Sequence, residues 1–184
     1  MSRVLVPLAQ GCEELEAVTI IDLLRRAGIE VITAGLDAEP VRASQGTVLL
    51  PDTELSQVLE QDFDMVVLPG GLPGADHLDQ DPRIHRLLQR QAEQGRHCAA
   101  ICAAPKVLAN AGLLDGHQAT HYPGAVIAAD YPAVQFTDAP VVQDGLLVTS
   151  RGPGTAMDFA LALVEVLTGR DHRLEVESRL MRPS

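Results

Sequence analysis

The sequence predicts an α/β protein, a mostly parallel sheet covered by helices on both faces, and three observations predict it. Short apolar runs alternate along the chain with stretches of helical periodicity, an order that joins parallel strands through crossover helices. The length, 184 residues, gives room for one domain with a sizeable core. Apolar residues make up 46% and charged residues 21%, the mixture of an ordinary globular chain and not of a disordered or fibrous one. With no linker, repeat or shift in composition, residues 1–184 read as a single domain.

The first strand is 3–8, where Val4, Leu5 and Val6 run together as in a strand buried on both faces. Residues 14–27 place Ala17, Ile20, Ile21, Leu24 and Ala27 on one helical face, and Gly28 ends the helix as a C-terminal cap. Strands are expected at 29–34 and 47–50, a modest helix over 54–60, and a buried strand at 64–68. Residues 69–74, rich in Pro and Gly, read as a loop. Asp81-Pro82 then opens a helix over 81–94, with proline suited to the first turn. A strand at 97–101 leads to a short helix over 105–111 stopped by Gly112, and 117–120 reads as a strand. Strands 141–143 and 146–150 flank Asp144-Gly145, a two-residue hairpin signal. The spacing predicts a helix over 155–167 capped by Gly169, and another over 171–180.

Lys and Arg number 14 against 25 Asp and Glu, a net charge of −11. So acidic a chain repels nucleic acid and anionic membranes unless a basic patch intervenes, and the densest basic pair, Arg25-Arg26, lies among acids. Aromatic residues are only 3%, too few for base-stacking platforms, so direct nucleic-acid binding is not expected. No apolar run approaches the roughly 18 residues of a membrane helix. The N-terminal Met-Ser-Arg-Val-Leu-Val-Pro reads as a first strand and not as a signal peptide. The expectation is a soluble, cytoplasmic protein. Cys12, Cys98 and Cys102 are too few and too odd in number for a disulfide framework, and none has zinc-finger spacing. No metal is expected, which leaves buried thiols, a reactive one, or both.

Ligands of open α/β sheets bind beyond the C-terminal ends of the strands, so the loops after Leu8, Leu68, Ile101 and Ser150 matter most. Cys102 stands where the strand Cys98-Ala99-Ala100-Ile101 turns directly into a helix, the arrangement of a nucleophile elbow. The unpaired amides of a helix start lower a thiol's pKa from its free value of about 8.5. A cysteine at a strand end is, on its own, more often an inert core thiol. Glu16 lies in the first turns of the first helix, where a carboxylate ordinarily complements the helix N-terminus, the part given to Glu13 and Glu14. If Glu16 instead faces Cys102, two charges about 4 Å apart would repel by about 4 kcal/mol at an effective dielectric of 20. Both would then not be ionised together, and Glu16 is expected to be protonated or to share one proton with the sulfur. His121, at the end of strand 117–120, is a candidate general acid or base. Gly70-Gly71 is either a tight turn or the source of an amide that, beside that of Ala103, makes an oxyanion hole. It is no phosphate loop, because no Gly-Lys-Ser/Thr follows.

Five segments in order resemble the ThiJ/PfpI superfamily: 8–16 (Leu-Ala-Gln-Gly-Cys-Glu-Glu-Leu-Glu), 66–71 (Val-Val-Leu-Pro-Gly-Gly), 99–105 (Ala-Ala-Ile-Cys-Ala-Ala-Pro), Thr120-His121 and 149–155 (Thr-Ser-Arg-Gly-Pro-Gly-Thr). The branch they resemble is that of the Parkinson's-disease-associated deglycase and its bacterial relatives. The resemblance implies a flavodoxin-like three-layer sandwich, of the class I glutamine amidotransferase-like kind, and a homodimer. By motif it places the elbow nucleophile on Cys102, its carboxyl partner on Glu16, the His on His121 and the oxyanion amides on Gly71 and Ala103. It implies a cofactor-independent conversion of methylglyoxal to lactate, removal of early glyoxal adducts from proteins and nucleotides, and a role in carbonyl and oxidative stress.

Several positions depart from the pattern. Ala104 stands where Gly is frequent, and Ala43 replaces a second, peripheral Cys. Gln45 stands where an Arg is expected near the dimer interface and site, and the surroundings of Tyr122 diverge at the pocket's far wall. The resemblance also leaves other readings: a redox-sensing stress protein or chaperone acting through oxidation of Cys102, or another Cys-dependent hydrolase or hydratase. A glutaminase would need a late His-Glu dyad, and His172 with Glu175 falls in a tail helix after the core.

Overall fold

The computed structural model describes residues 1–182. In chain order its strands are β1 (Arg3–Leu8), β2 (Glu30–Gly35), β3 (Val41–Arg42), β4 (Val48–Leu49), β5 (Thr53–Glu54), β6 (Met65–Leu68), β7 (His97–Ile101), β8 (Gln118–Ala119), β9 (Gln135–Phe136), β10 (Val141–Asp144) and β11 (Leu147–Ser150). The helices are α1 (Glu14–Arg26), α2 (Gly74–Gln80), α3 (Pro82–Glu93), α4 (Pro105–Asn110), α5 (Ala156–Thr168) and α6 (Arg170–Ser178). The main sheet runs β10-β11-β7-β6-β1-β2-β5, and only the β10–β11 pairing in it is antiparallel.

Alternation along the strands divides the core in two. Val4, Val6 and Leu8 of β1 enter a cluster with Ile20 of α1, Phe159 of α5 and Val176 of α6. Leu5 points the other way, into a cluster with Leu78 of α2, Leu88 of α3 and Leu108 of α4. Each fully buried Leu, Ile or Phe among them contributes about 1.5–3 kcal/mol. The expected α/β sandwich with helices on both faces is therefore the observed one. The strand order reverses between β1 and β6, so the loops after these strands share a crevice, and β7 and β11 bring two more strand ends to it.

Three local expectations need correction. Residues 54–60 are not a helix: β5 extends the sheet edge and only a 3-10 turn, Leu55–Gln57, follows. Leu55 and Val58 are pinned into the core there, a single turn and no more. Part of the expected loop 69–74 already belongs to α2, whose Ala75 and Leu78 are buried behind Gly74. Asp81 closes α2 and caps α3 by accepting from Arg83 N at 2.9 Å. In the β10–β11 hairpin Asp144 pairs with Leu147, so the turn is Gly145-Leu146, one residue later than expected.

Candidate active site

β7 delivers Cys102 to the crevice with a backbone φ of +65°, in the left-handed region that a β-carbon disfavours. Such a conformation costs on the order of 1–3 kcal/mol and persists only where neighbours hold it. Here they do. Cys102 N donates to Ser150 O at 3.0 Å, Ala104 N donates to Ile101 O at 3.0 Å, and Tyr122 N donates to Cys102 O at 2.8 Å. The chain then enters α4 at Pro105.

Glu16 approaches from α1 and is fully buried. Its Oε2 accepts from Gly70 N at 2.8 Å, while its Oε1 is buried with no hydrogen-bond partner. The carboxyl lies against Cys102, and burial pushes it up to about 7 despite the lowering effect of the thiol and the Gly70 amide. Burial and the charge of Glu16 push the Cys102 thiol up to about 12, against the pull of the Gly71 and Ala103 amides. This corrects the expectation that the helix-start amides lower the thiol pKa, because burial and the charge of Glu16 outweigh them. The effect runs one way: the charge of Glu16 raises the cost of ionising Cys102, whereas the neutral thiol favours the Glu16 carboxylate.

Gly70 is what lets the pair meet. A β-carbon there would lie 2.6 Å from Cys102 Cβ and 2.7 Å from Glu16 Oε2. Gly70 O accepts from Glu13 N at 2.9 Å, which ties this loop to the start of α1. Gly71, at φ +88°, then turns its amide toward the sulfur.

His121 is brought near only by its backbone. Its ring packs edge-on against Phe136, with centroids 4.9 Å apart, and its Nδ1 lies 2.7 Å from Tyr122 O. Among the described residues it makes no hydrogen bond to Cys102 or Glu16. His172 and Glu175 do meet, at 3.5 Å, but His172 Nε2 rests on Ala27 O at the far end of α1. That end is about 15 Å along the helix from Glu16, which removes the dyad from the Cys102 site. Cys12 and Cys98 are free, buried thiols, each pushed up to about 12 chiefly by burial.

Sequence reasoning missed a second acidic arrangement beside the site. Glu13 caps α1 as expected, accepting from Leu15 N, but Glu14 turns outward to the β3–β4 loop. Its carboxylate accepts from Gln45 N at 3.0 Å, Thr47 N at 3.2 Å and Ser44 Oγ at 3.2 Å. Burial works against this charge, yet the amides of Glu14, Gln45 and Thr47 hold the carboxyl down at about 2. The Gln45 side chain itself is exposed. Among the described residues no three His, Cys, Asp or Glu side chains converge as metal ligands, and no helix is long and apolar enough to cross a membrane.

A three-layer α/β fold whose strained elbow sets a cysteine against a buried acid defines a class of protein, and the comparisons agree on which. Residues 2–166 match the model of the DJ-1/PfpI family, and the chain belongs to that family. The crystal structure of Drosophila melanogaster DJ-1beta superposes with a TM-score of 0.94 at 44% identity, covering 100% of both chains. The Parkinson disease protein 7 homolog of Danio rerio is 41% identical over 184 residues, 97% of this chain and 96% of that one. The glutathione-independent glyoxalase DJR-1.2 of Caenorhabditis elegans is 37% identical over 162 residues, 87% of this chain and 85% of its own.

Proposed function

We propose that this protein is a cofactor-independent glyoxalase that converts methylglyoxal to lactate, with deglycation of early adducts as the same chemistry on a larger substrate. The observation that carries the reading is the buried Glu16 carboxyl, its Oε1 without a hydrogen-bond partner, set against Cys102 at a strained elbow. The DJR-1.2 relative supports it by its name.

The Cys102–Glu16 pair shares one proton, which rests on sulfur, the weaker acid, and passes to Glu16 as the sulfur attacks. The thiolate adds to the aldehyde carbon, and the new oxyanion sits against the amides of Gly71 and Ala103 before taking a proton from Glu16. The resulting carboxylate removes the hydrogen from that same carbon, giving an enediol, and returns it to the neighbouring carbon as the thioester forms. Water hydrolyses the thioester to the 2-hydroxy acid and frees the thiol. The net reaction adds one water and needs no oxidant. His121 assists proton transfer once substrate draws its ring from Phe136.

Lactate formation from methylglyoxal tests this directly. Folded wild type should turn over, and Cys102→Ser should lose at least about a thousandfold in kcat/KM. Normal turnover by Cys102→Ser would end the proposal.

We further propose a homodimer through α1 and the β3–β4 hairpin, where Leu15, Val18, Val48 and Leu50 are exposed together with partly buried Leu49. A 20 kDa monomer in sedimentation at micromolar concentration would contradict it. Three unpaired cysteines fit a reducing compartment, so the protein is assigned to the cytoplasm. A redox-sensing role shares the site: the Gly71 and Ala103 amides and a protonated Glu16 offer donors to the oxygens of a Cys102 sulfinate. Peroxide titration with peptide mapping would expose it as selective oxidation of Cys102, with protection of client proteins changing alongside.

A further inference from the structure

Two exposed apolar side chains grow from the backbone segments that enclose Cys102. Leu72 follows Gly71, whose amide faces the sulfur, and it is 59% exposed. That loop is anchored on both sides, by Glu13 N to Gly70 O and Ala75 N to Gly71 O. Tyr122 is 50% exposed, and its own N–H donates to Cys102 O. Its ring lies against Gly152, where a β-carbon would stand 3.2 Å from Tyr122 Cδ2. Gly152 is two residues past Ser150, whose carbonyl takes the Cys102 N–H. The ring therefore spans two of the segments that hold the elbow.

A single exposed leucine or tyrosine is ordinary. Two of them, rooted in segments fixed to one thiol, put exposed apolar surface on both loops that hold that site. The charges around it point the same way. Glu13, whose charge acts on Glu16, is also an acid. Arg151, in the adjoining loop, is committed to Asp138 at 2.6 Å. The surroundings therefore supply little attraction for a carboxylate or phosphate.

We propose that Leu72 and Tyr122 form a specificity rim that selects uncharged electrophiles carrying an apolar substituent. In the oxoaldehyde reading, on which the choice of substrates rests, arylglyoxals are preferred over methylglyoxal and methylglyoxal over glyoxal. A hydrophobic contact of this size is worth about a tenfold discrimination or somewhat more.

The test has two arms, so that failure of the rim and failure of the proposed reaction can be told apart. The first compares kcat/KM for phenylglyoxal, methylglyoxal and glyoxal in wild type, Tyr122→Ser and Leu72→Asn. The second needs no turnover: alkylation of Cys102 by N-benzylmaleimide and N-methylmaleimide, and by iodoacetamide and iodoacetate, is followed by peptide mapping with glutathione as reference thiol. The expected result is a phenylglyoxal-to-glyoxal ratio that falls about tenfold in Tyr122→Ser. The benzyl preference should fall in parallel, and iodoacetate should lag iodoacetamide more at Cys102 than at glutathione. A wild type that turns over none of the aldehydes but keeps a Tyr122-dependent benzyl preference would sink the glyoxalase reading and uphold the rim. No benzyl preference, or one that both variants retain, would overturn the rim whatever the turnover.

Discussion

Glu14 and Glu16 leave the same turn of α1 in opposite directions and acquire opposite acidities, about 2 and about 7. The outer carboxylate is surrounded by donors, the amides of Gln45 and Thr47 and the hydroxyl of Ser44, and they hold its charge in place. The inner one has a single amide, a thiol and apolar walls. Glu16 is thus paired with a group that must itself become charged to react, whereas Glu14 is an anchor for the β3–β4 loop. Burial already separates them, since Glu16 is enclosed and Glu14 only partly covered, and the number of amides aimed at each carboxylate widens the difference.

The largest expected effect comes from breaking the inner arrangement. Glu16→Gln keeps the shape and the Gly70 hydrogen bond but cannot give up and retake a proton. It should lower kcat on methylglyoxal about a hundredfold or more, while the β3–β4 loop is untouched. Gly70→Ala attacks the same pair by volume. Its methyl group would sit 2.6 Å from Cys102 Cβ, so the variant should lose about 1–3 kcal/mol in denaturant unfolding and most of its turnover. A Gly70→Ala protein with wild-type activity and stability would mean that the crevice is wider than described.

The pH dependence of stability sharpens the comparison, because the two acids contribute with opposite sign. Glu16 binds its proton more tightly folded than unfolded, so its contribution is full below pH 4.5 and is lost as pH rises through about 7. Wild type should therefore lose about 3 kcal/mol relative to Glu16→Gln between pH 4 and pH 8, at about 1.4 kcal/mol per pH unit. Glu14 works the other way: its contribution is present above pH 4.5 and is lost as pH falls toward 2. Parallel stability curves for wild type and Glu16→Gln would show that Glu16 is not held protonated. The smallest effect is expected of Glu14→Gln. It should speed hydrogen exchange at the Gln45 and Thr47 amides about tenfold, with little change in global stability.

The inner arrangement was legible in the sequence and the outer one was not, for a physical reason. Cys102 follows a strand and precedes a helix, so the local pattern placed it at a strand end. That Glu16, on a helix start, is its partner came from the resemblance of the motifs, since the pattern alone left it open to a solvated role. Glu14 meets residues 31 and 33 positions away, across a hairpin whose strands are two residues each, too short for any period to reveal. The helix α2 was hidden because Pro73 and Gly74 at its start signal a turn, and its two buried apolar side chains, Ala75 and Leu78, are too few to outweigh them. His121 was found by type, but its ring direction depends on Phe136, fifteen residues on, a contact with no local signature.

The elbow is held by pieces of the frame and not by a movable cover. Its N–H is tied to β11, its partner acid rides on α1 above the main core, and the glycine that makes room for both continues β6. To loosen any of these is to part neighbouring central strands or lift α1 from the sheet. Heat should therefore leave the chemistry intact until the whole molecule gives way, and the loss of activity with temperature should trace the loss of the fold itself.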